Sequence, residues 1–392
     1  MRPVPRALAF PVALCVALSL ALGACASAGP APAAASPSSS TFAPASAGSA
    51  TPTATTAATP SANPSATRNS ARGQFLLYES SGAWIVEPDG TGKRKVSAGS
   101  PVGWSDDGST IHLATDSTKS GCQVTELDDL SIDGGAEKVV PVSLKHGDWD
   151  FAWSPDDARI AFFRPTVERP CSPQANPDSR MDLMVADADG THQRKLAIGV
   201  PDGAGATLAW TPDSRSILVI QQDDDRPWKG PIVSIEVQNS SPTQIAAASG
   251  SYVDAAVSPD ESHIAYVATD GGFGAMHVAN IDGSGDRNLG DSASADHFVS
   301  WSPDGSLLAI LRGDRNDGPA HLVMASFPGG SQRDLVGALA WKGAGPKMSW
   351  SPDGARVAGI ANAGGIVVVA AYGSGAVPVP GTTSATDAFW QP

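Results

Sequence analysis

The cysteines are the first residues in this chain whose type and spacing suggest chemistry. Cys25 ends the run Leu22-Gly23-Ala24-Cys25, where small residues precede a thiol able to accept a diacylglycerol. Arg2 and Arg6 form a short basic start, and Leu8–Leu22 is an apolar run of export-signal length, too short to span a bilayer comfortably. Together they read as a lipobox, with residues 1–24 the lipoprotein signal peptide. Cys15 leaves with the signal and Cys25 carries the lipid, so Cys122 and Cys171 remain as an even pair in an oxidising compartment. A disulfide between them would close a loop of about 50 residues and contribute on the order of 4 kcal/mol.

Catalytic chemistry has little support. The sequence holds no G-x-S-x-G elbow, no H-E-x-x-H and no phosphate-binding loop, and its seven histidines are scattered. His146 with Asp148, and His297 with Asp296, are the only carboxylate–imidazole hints, so no enzyme is expected. Binding chemistry is better represented. Trp149, Trp228 and Trp341 stand near acidic groups, and a large ring with one polar atom suits a recognition surface.

Residues 25–72 comprise Cys25 and a tether of Ala, Ser, Pro, Thr and Gly without one acidic side chain. They contain too few large apolar groups to offset the entropy of ordering them, and a coil of this length reaches roughly 40 Å. All the acid lies beyond residue 72, where 22 Lys and Arg face 40 Asp and Glu, a net charge of −18. That balance excludes nucleic acid and an anionic bilayer surface as direct partners, and permits a basic partner or a cation.

What must position these residues is a repeat. Trp104-Ser-Asp-Asp-Gly108, Trp153-Ser-Pro-Asp-Asp157, Trp210-Thr-Pro-Asp-Ser214, Val257-Ser-Pro-Asp-Glu261, Trp301-Ser-Pro-Asp-Gly305 and Trp350-Ser-Pro-Asp-Gly354 recur, and Trp390-Gln-Pro392 begins a seventh copy. Each motif is followed by an apolar run such as Ile160-Ala-Phe-Phe163, a second run, an Asp-Gly turn as in Ala188-Asp-Gly-Thr191, and a weaker strand. Asp-Gly between apolar runs signals a hairpin, and Pro, Asp and Gly within the motif each favour a turn. Four short strands per period predict propeller blades, all-β throughout.

The motif and the runs that follow it resemble the PD40 repeat of TolB-type propellers, WD40-like in shape, over residues 73–392. Two copies depart from the pattern: the one at 104 lacks Pro and the one at 257 lacks Trp. The resemblance implies partners in the cell envelope without naming one. Phe75-Leu-Leu-Tyr78 opens the domain as a second strand, and Asp387-Ala-Phe-Trp390 ends it as a first strand. This predicts seven four-stranded blades closed 1+3 by the C-terminal strand, with six blades the alternative.

On that layout the Trp motifs are scaffold, and the longer loops of the opposite face, 116–123, 165–180, 223–229 and 312–319, carry binding. Trp149, Trp228 and Trp341 fall on that face. Asp150, Asp254, Lys347 and Asp387, each three residues before the Trp position, should line the channel mouth, with a bound cation or basic peptide as a weak possibility and no other cofactor. The expected protein is a monomeric, extracytoplasmic interaction module, lipid-anchored to the bacterial cell membrane and in contact with the membrane only through that lipid. The alternative is a carbohydrate- or cell-wall-binding protein, or a propeller lyase.

Overall fold

The computed structural model describes residues 73–392 except residues 120, 167–179, 202–207, 221–230, 246–250, 270–273, 291–293, 315–319, 340–347 and 374. The strands run β1 (Phe75–Glu79), β2 (Gly82–Val86) and β3 (Arg94–Lys95), then six sets of four. These are β4 (Ser100–Trp104), β5 (Thr110–Lys119), β6 (Cys122–Ser131) and β7 (Lys138–Val139); then β8 (Trp149–Trp153), β9 (Arg159–Pro165), β10 (Arg180–Asp187) and β11 (Arg194–Pro201). Next come β12 (Leu208–Trp210), β13 (Ser216–Ile220), β14 (Ile232–Glu236) and β15 (Ser241–Gln244); then β16 (Ser251–Val257), β17 (His263–Thr269), β18 (Gly274–Asn280) and β19 (Arg287–Asn288). The last sets are β20 (Ser294–Trp301), β21 (Leu307–Asp314), β22 (Ala320–Ser326) and β23 (Gln332–Leu339), then β24 (Met348–Trp350), β25 (Arg356–Ile360), β26 (Ile366–Ala370) and β27 (Ala376–Pro378), before β28 (Asp387–Trp390).

Each set of four is one antiparallel blade, and β28 pairs with β1 to complete the first, in the order β28-β1-β2-β3. Phe75 stands opposite Trp390 and Tyr78 opposite Asp387. The ring is therefore a seven-bladed, all-β propeller closed 1+3, as the strand count predicts, and six blades are excluded.

Seven apolar clusters account for the closure, one between each pair of neighbouring blades. Leu76 and Ile85 of blade 1 meet Ile111 and Leu113 of blade 2. The series returns to its start where Ile360 and Ile366 of blade 7 pack on Phe75 and Trp390. A blade sandwiched on both faces needs apolar residues at successive positions, which is why β1 and β9 read as near-continuous apolar runs rather than alternating ones. Fully burying one such Leu, Ile or Phe contributes about 1.5–3 kcal/mol. The inner strands β4 and β8 are half-buried at every position, and the outer β3, β7, β15 and β19 are exposed.

Two expected loops are partly strand. Residues 116–119 and 122–123 extend a ladder that reaches Lys119 opposite Cys122, and Arg312-Gly-Asp314 ends β21. β-Branched and polar residues sustain the long β5–β6 hairpin, buried toward its base and exposed toward its tip, and its turn falls at Gly121 with φ +83°.

Candidate functional site

The motif turns build one face of the ring, and their chemistry is repeated copy by copy. The second-position hydroxyl donates to the fourth-position aspartate in all six complete copies, for example Ser154 to Asp156, Thr211 to Asp213 and Ser302 to Asp304 (2.7 Å for Thr211). At Asp260 the Ser258 hydroxyl, then the Ser262 hydroxyl and amide, hold the carboxyl down at about 2. The fifth position is left-handed in every copy, with φ between 55° and 71°. Glycine occupies it at 108, 305 and 354; Asp157, Ser214 and Glu261 occupy it elsewhere, at a steric cost of about 1–2 kcal/mol each.

Those three side chains reach across to the preceding blade. Asp157 accepts the Asp106 amide at 3.0 Å, Ser214 accepts the Asp156 amide at 3.0 Å, and Glu261 accepts the Asp213 amide. The strained residues thus link blades 2 to 3, 3 to 4 and 4 to 5, and each hydrogen bond offsets strain that glycine would avoid.

The tryptophans act as wedges through both area and one polar atom. The indole N–H groups of Trp104, Trp210 and Trp301 donate to the carbonyls of Phe389, Ala152 and Ala256 in the preceding blade, at 3.0 to 3.2 Å. Trp301 and Trp390 are buried, whereas Trp104, Trp153 and Trp210 are half-buried. These last three wall a cavity of about 410 Å³, together with Ser105, Asp106, Ala152, Ser154, Pro155, Asp157 and Pro392. It spans motif-face residues of blades 2, 3 and 4 and reaches the residue after the closing strand.

His112 stiffens this wall. Its ring is buried between two carboxylates, Asp129 at 2.7 Å and Asp157 at 3.3 Å, and stacks on Trp153 with centroids 4.2 Å apart. Burial alone would lower the imidazole pKa, but the hydrogen bonds to Asp129 and Asp157 prevail and raise it.

The sequence-predicted residues fare differently. Trp149 is half-buried, packs on Phe163 at 5.5 Å and belongs to the core between blades 3 and 4. Trp228, Trp341, Lys347 and Cys171 lie outside the described residues, as does Cys25. Cys122, at the tip of the β5–β6 hairpin, is disulfide-bonded. Asp150, Asp254 and Asp387 sit on inner strands of three different blades, and among the described residues no group of three or more His, Cys, Asp or Glu could hold a metal ion. Asp254 instead braces blade 5 to blade 6 by accepting the Val299 amide at 2.9 Å, and burial pushes its carboxyl up to about 7. Burial raises Asp150, at φ +56°, to about 6.

The two carboxylate–imidazole hints dissolve. Asp148 is fully buried and receives Arg164 through Nε and a terminal nitrogen at 2.9 and 2.6 Å, while His146 contacts the Gln123 carbonyl. Asp296 takes Arg312 in the same way, and also the Met276 amide. A signal for these pairs was present in the sequence: in both blades the aspartate lies five residues before the Trp and the arginine eleven after it.

The described fold is that of a seven-bladed β-propeller, and its blades carry the Trp-Ser-Pro-Asp-Gly repeat at their motif face. Residues 230–376 match the family described as the lipoprotein LpqB beta-propeller domain. No curated protein matches the chain. Among solved structures it is similar to oligogalacturonate lyase from Vibrio parahaemolyticus, with 14% identity over 74% of this chain and 82% of that one and a TM-score of 0.55. A Mycobacterium tuberculosis puromycin-hydrolyzing peptidase shares 14% identity over 79% of this chain and 53% of its own, TM-score 0.53. A putative TolB from Agrobacterium tumefaciens shares 21% identity over 72% of this chain and 95% of its own, TM-score 0.49. At these identities the likeness is one of fold.

Proposed function

We propose that the chain is a protein-interaction module of the cell envelope, lipidated at Cys25 and held clear of the membrane by the tether of residues 26–72. The observation that carries this reading is the cavity of three indoles on a face whose turns are cross-linked from blade to blade. Such a surface is pre-organised, so a partner docks without ordering it first, and that lowers the entropic cost of association. Aromatic pockets on rigid scaffolds are where binding energy concentrates. The match to a lipoprotein propeller family supports the envelope location, as does the Leu22–Cys25 processing sequence.

The test is chemical cross-linking in intact bacteria expressing the full chain, followed by its capture from solubilised membranes. A stoichiometric protein partner is the expected result. Capture of polysaccharide in place of protein would overturn the interaction reading. Cys25→Ser should move the chain from the membrane to the soluble extracytoplasmic fraction, and unchanged membrane association would overturn the anchor.

A further inference from the structure

Two of the three indoles in the cavity wall are tied to a neighbouring blade through their own N–H groups, Trp104 to the Phe389 carbonyl and Trp210 to the Ala152 carbonyl. Trp153 is held in another way, by the imidazole of His112, which stacks on it with centroids 4.2 Å apart and planes 11° apart. His112 belongs to blade 2 and Trp153 to blade 3, so this stack crosses the seam between two blades.

The imidazole is 5% exposed, and both of its nitrogens face carboxylates. Nδ1 meets Asp129 on β6 of its own blade at 2.7 Å, and Nε2 meets Asp157 in the motif turn of blade 3 at 3.3 Å. On the remaining sides, β4 sets Gly103 opposite His112, and Lys138 of β7 stands beyond Asp129 in the same row, exposed to water. Asp106 turns its backbone amide to Asp157. Asp129 and Asp157 are the charges that act on the ring.

A carboxylate accepts and does not donate, so each contact needs a proton on the nitrogen that makes it. The imidazolium carries both protons and the neutral ring carries one. Burial alone would lower the pKa of the ring, but the hydrogen bonds to Asp129 and Asp157 raise it above the ordinary 6.5. On losing one proton the ring keeps the shorter contact, to Asp129, and turns a lone pair toward Asp157. The Asp157 side chain is 33% exposed, so water can take up the carboxylate that the ring releases. Its backbone at φ +55° is strained and is held by these contacts, so losing one of them favours relaxation of the turn.

We infer that His112 is a proton-operated clasp between blades 2 and 3: the doubly protonated ring ties Asp129 to Asp157 and braces Trp153, and loss of one proton frees Asp157 and loosens the cavity wall at Trp153. The clasp is complete below the ordinary imidazole pKa and is lost as pH rises through the higher folded-state value. It goes beyond the interaction-module reading and stands without it, since no partner takes part.

The experiment follows the full chain, ¹⁵N-labelled at histidine and tryptophan, by NMR from about pH 5 to about pH 9. His112, assigned by the signal missing from His112→Gln, should remain doubly protonated past pH 6.5. The Trp153 indole signal should move with the same midpoint, while that of Trp390, at the ring closure, stays still. His112→Gln should abolish the Trp153 shift. Asp157→Asn keeps an oxygen for the Asp106 amide and removes the charge, so it tests the clasp even if His112→Gln does not fold; it should lower the His112 midpoint by about one pH unit. A His112 midpoint at or below 6.5, a Trp153 signal that ignores that midpoint, or a midpoint unchanged in Asp157→Asn would overturn the proposal.

Discussion

Ser214 gives the sharpest test of how the motif face is held together. It is 3% exposed, sits at φ +61° and accepts the Asp156 amide at 3.0 Å from the neighbouring blade. Ser214→Ala keeps the strain and deletes the hydrogen bond, a cost of about 1 kcal/mol. Ser214→Gly deletes the same bond but relieves about 1–2 kcal/mol of left-handed strain, while giving back about 0.4–1 kcal/mol through a freer unfolded chain. The expected order of stability is therefore wild type, then Gly a few tenths below, then Ala about 1 kcal/mol below. Urea unfolding at matched slope measures it, since a change in midpoint alone is a change in stability. If Ala proves as stable as Gly, the strain argument is wrong; if Ala equals wild type, the inter-blade hydrogen bond contributes nothing.

Asp254→Asn should leave stability unchanged near pH 4 and raise it at pH 8. The folded-state pKa lies above the unfolded value, so wild-type stability falls as pH climbs from about 4 through about 7, while Asn still accepts the Val299 amide. The upper bound on that gain is about 4 kcal/mol, and pH-resolved denaturation reads it. His112→Gln should behave in the opposite sense. The raised imidazole pKa makes the wild-type advantage largest below about pH 6 and lost as pH rises through the folded-state value, so parallel curves from pH 5.5 to 8 would refute the ion-pair role. Gly283→Ala would place a methyl 1.8 Å from the Ile245 carbonyl oxygen at φ +80°, whereas Gly134→Ala meets open space at φ +101°. The second should cost about 1–2 kcal/mol of strain alone, and the first distinctly more by thermal melting. Asp106→Pro restores the consensus motif yet removes the amide that Asp157 accepts, so it should be about 1 kcal/mol less stable than Asp106→Ala, despite proline's usual benefit in turns.

The fold could be read from the sequence because each motif residue does local work. The hydroxyl at position two and the aspartate at position four close the turn within five residues, and Asp-Gly sets the next hairpin, so counting motifs counts blades. Closure followed from Phe75 and Trp390 alone. The site could not be read in this way. The cavity joins Trp104, Trp153 and Trp210, about fifty residues apart in succession, and nothing local to one copy says whether its indole is capped. The Asp148–Arg164 and Asp296–Arg312 pairs hid for a related reason. Nearby histidines drew attention along the chain, although His146 lies in the turn before β8 and the arginine partners of both aspartates stand on the next strand of their blades.

The asymmetry of the ring bears on where a repeated scaffold opens a cavity. Trp301 is met edge-on by Phe327 at 5.0 Å and Trp390 by Phe75 at 4.5 Å, and both indoles are buried. The copy at 257 has no indole to offer. Trp104, Trp153, Trp210 and Trp350 are half-buried; the first three wall the cavity and Trp350 does not, and the copy at 104 replaces the motif's proline with Asp106, which places a carboxylate at the rim of that cavity. The departures from the repeat at Asp106, Asp157 and Ser214 fall on the blades where the cavity opens, whereas Val257 and Glu261 depart on blade 5, away from it. Departures that cost backbone strain persist when something else depends on them. Of the strained departures Asp157, Ser214 and Glu261, it is Asp157 that lines the cavity, and the same side chain positions His112 against Trp153.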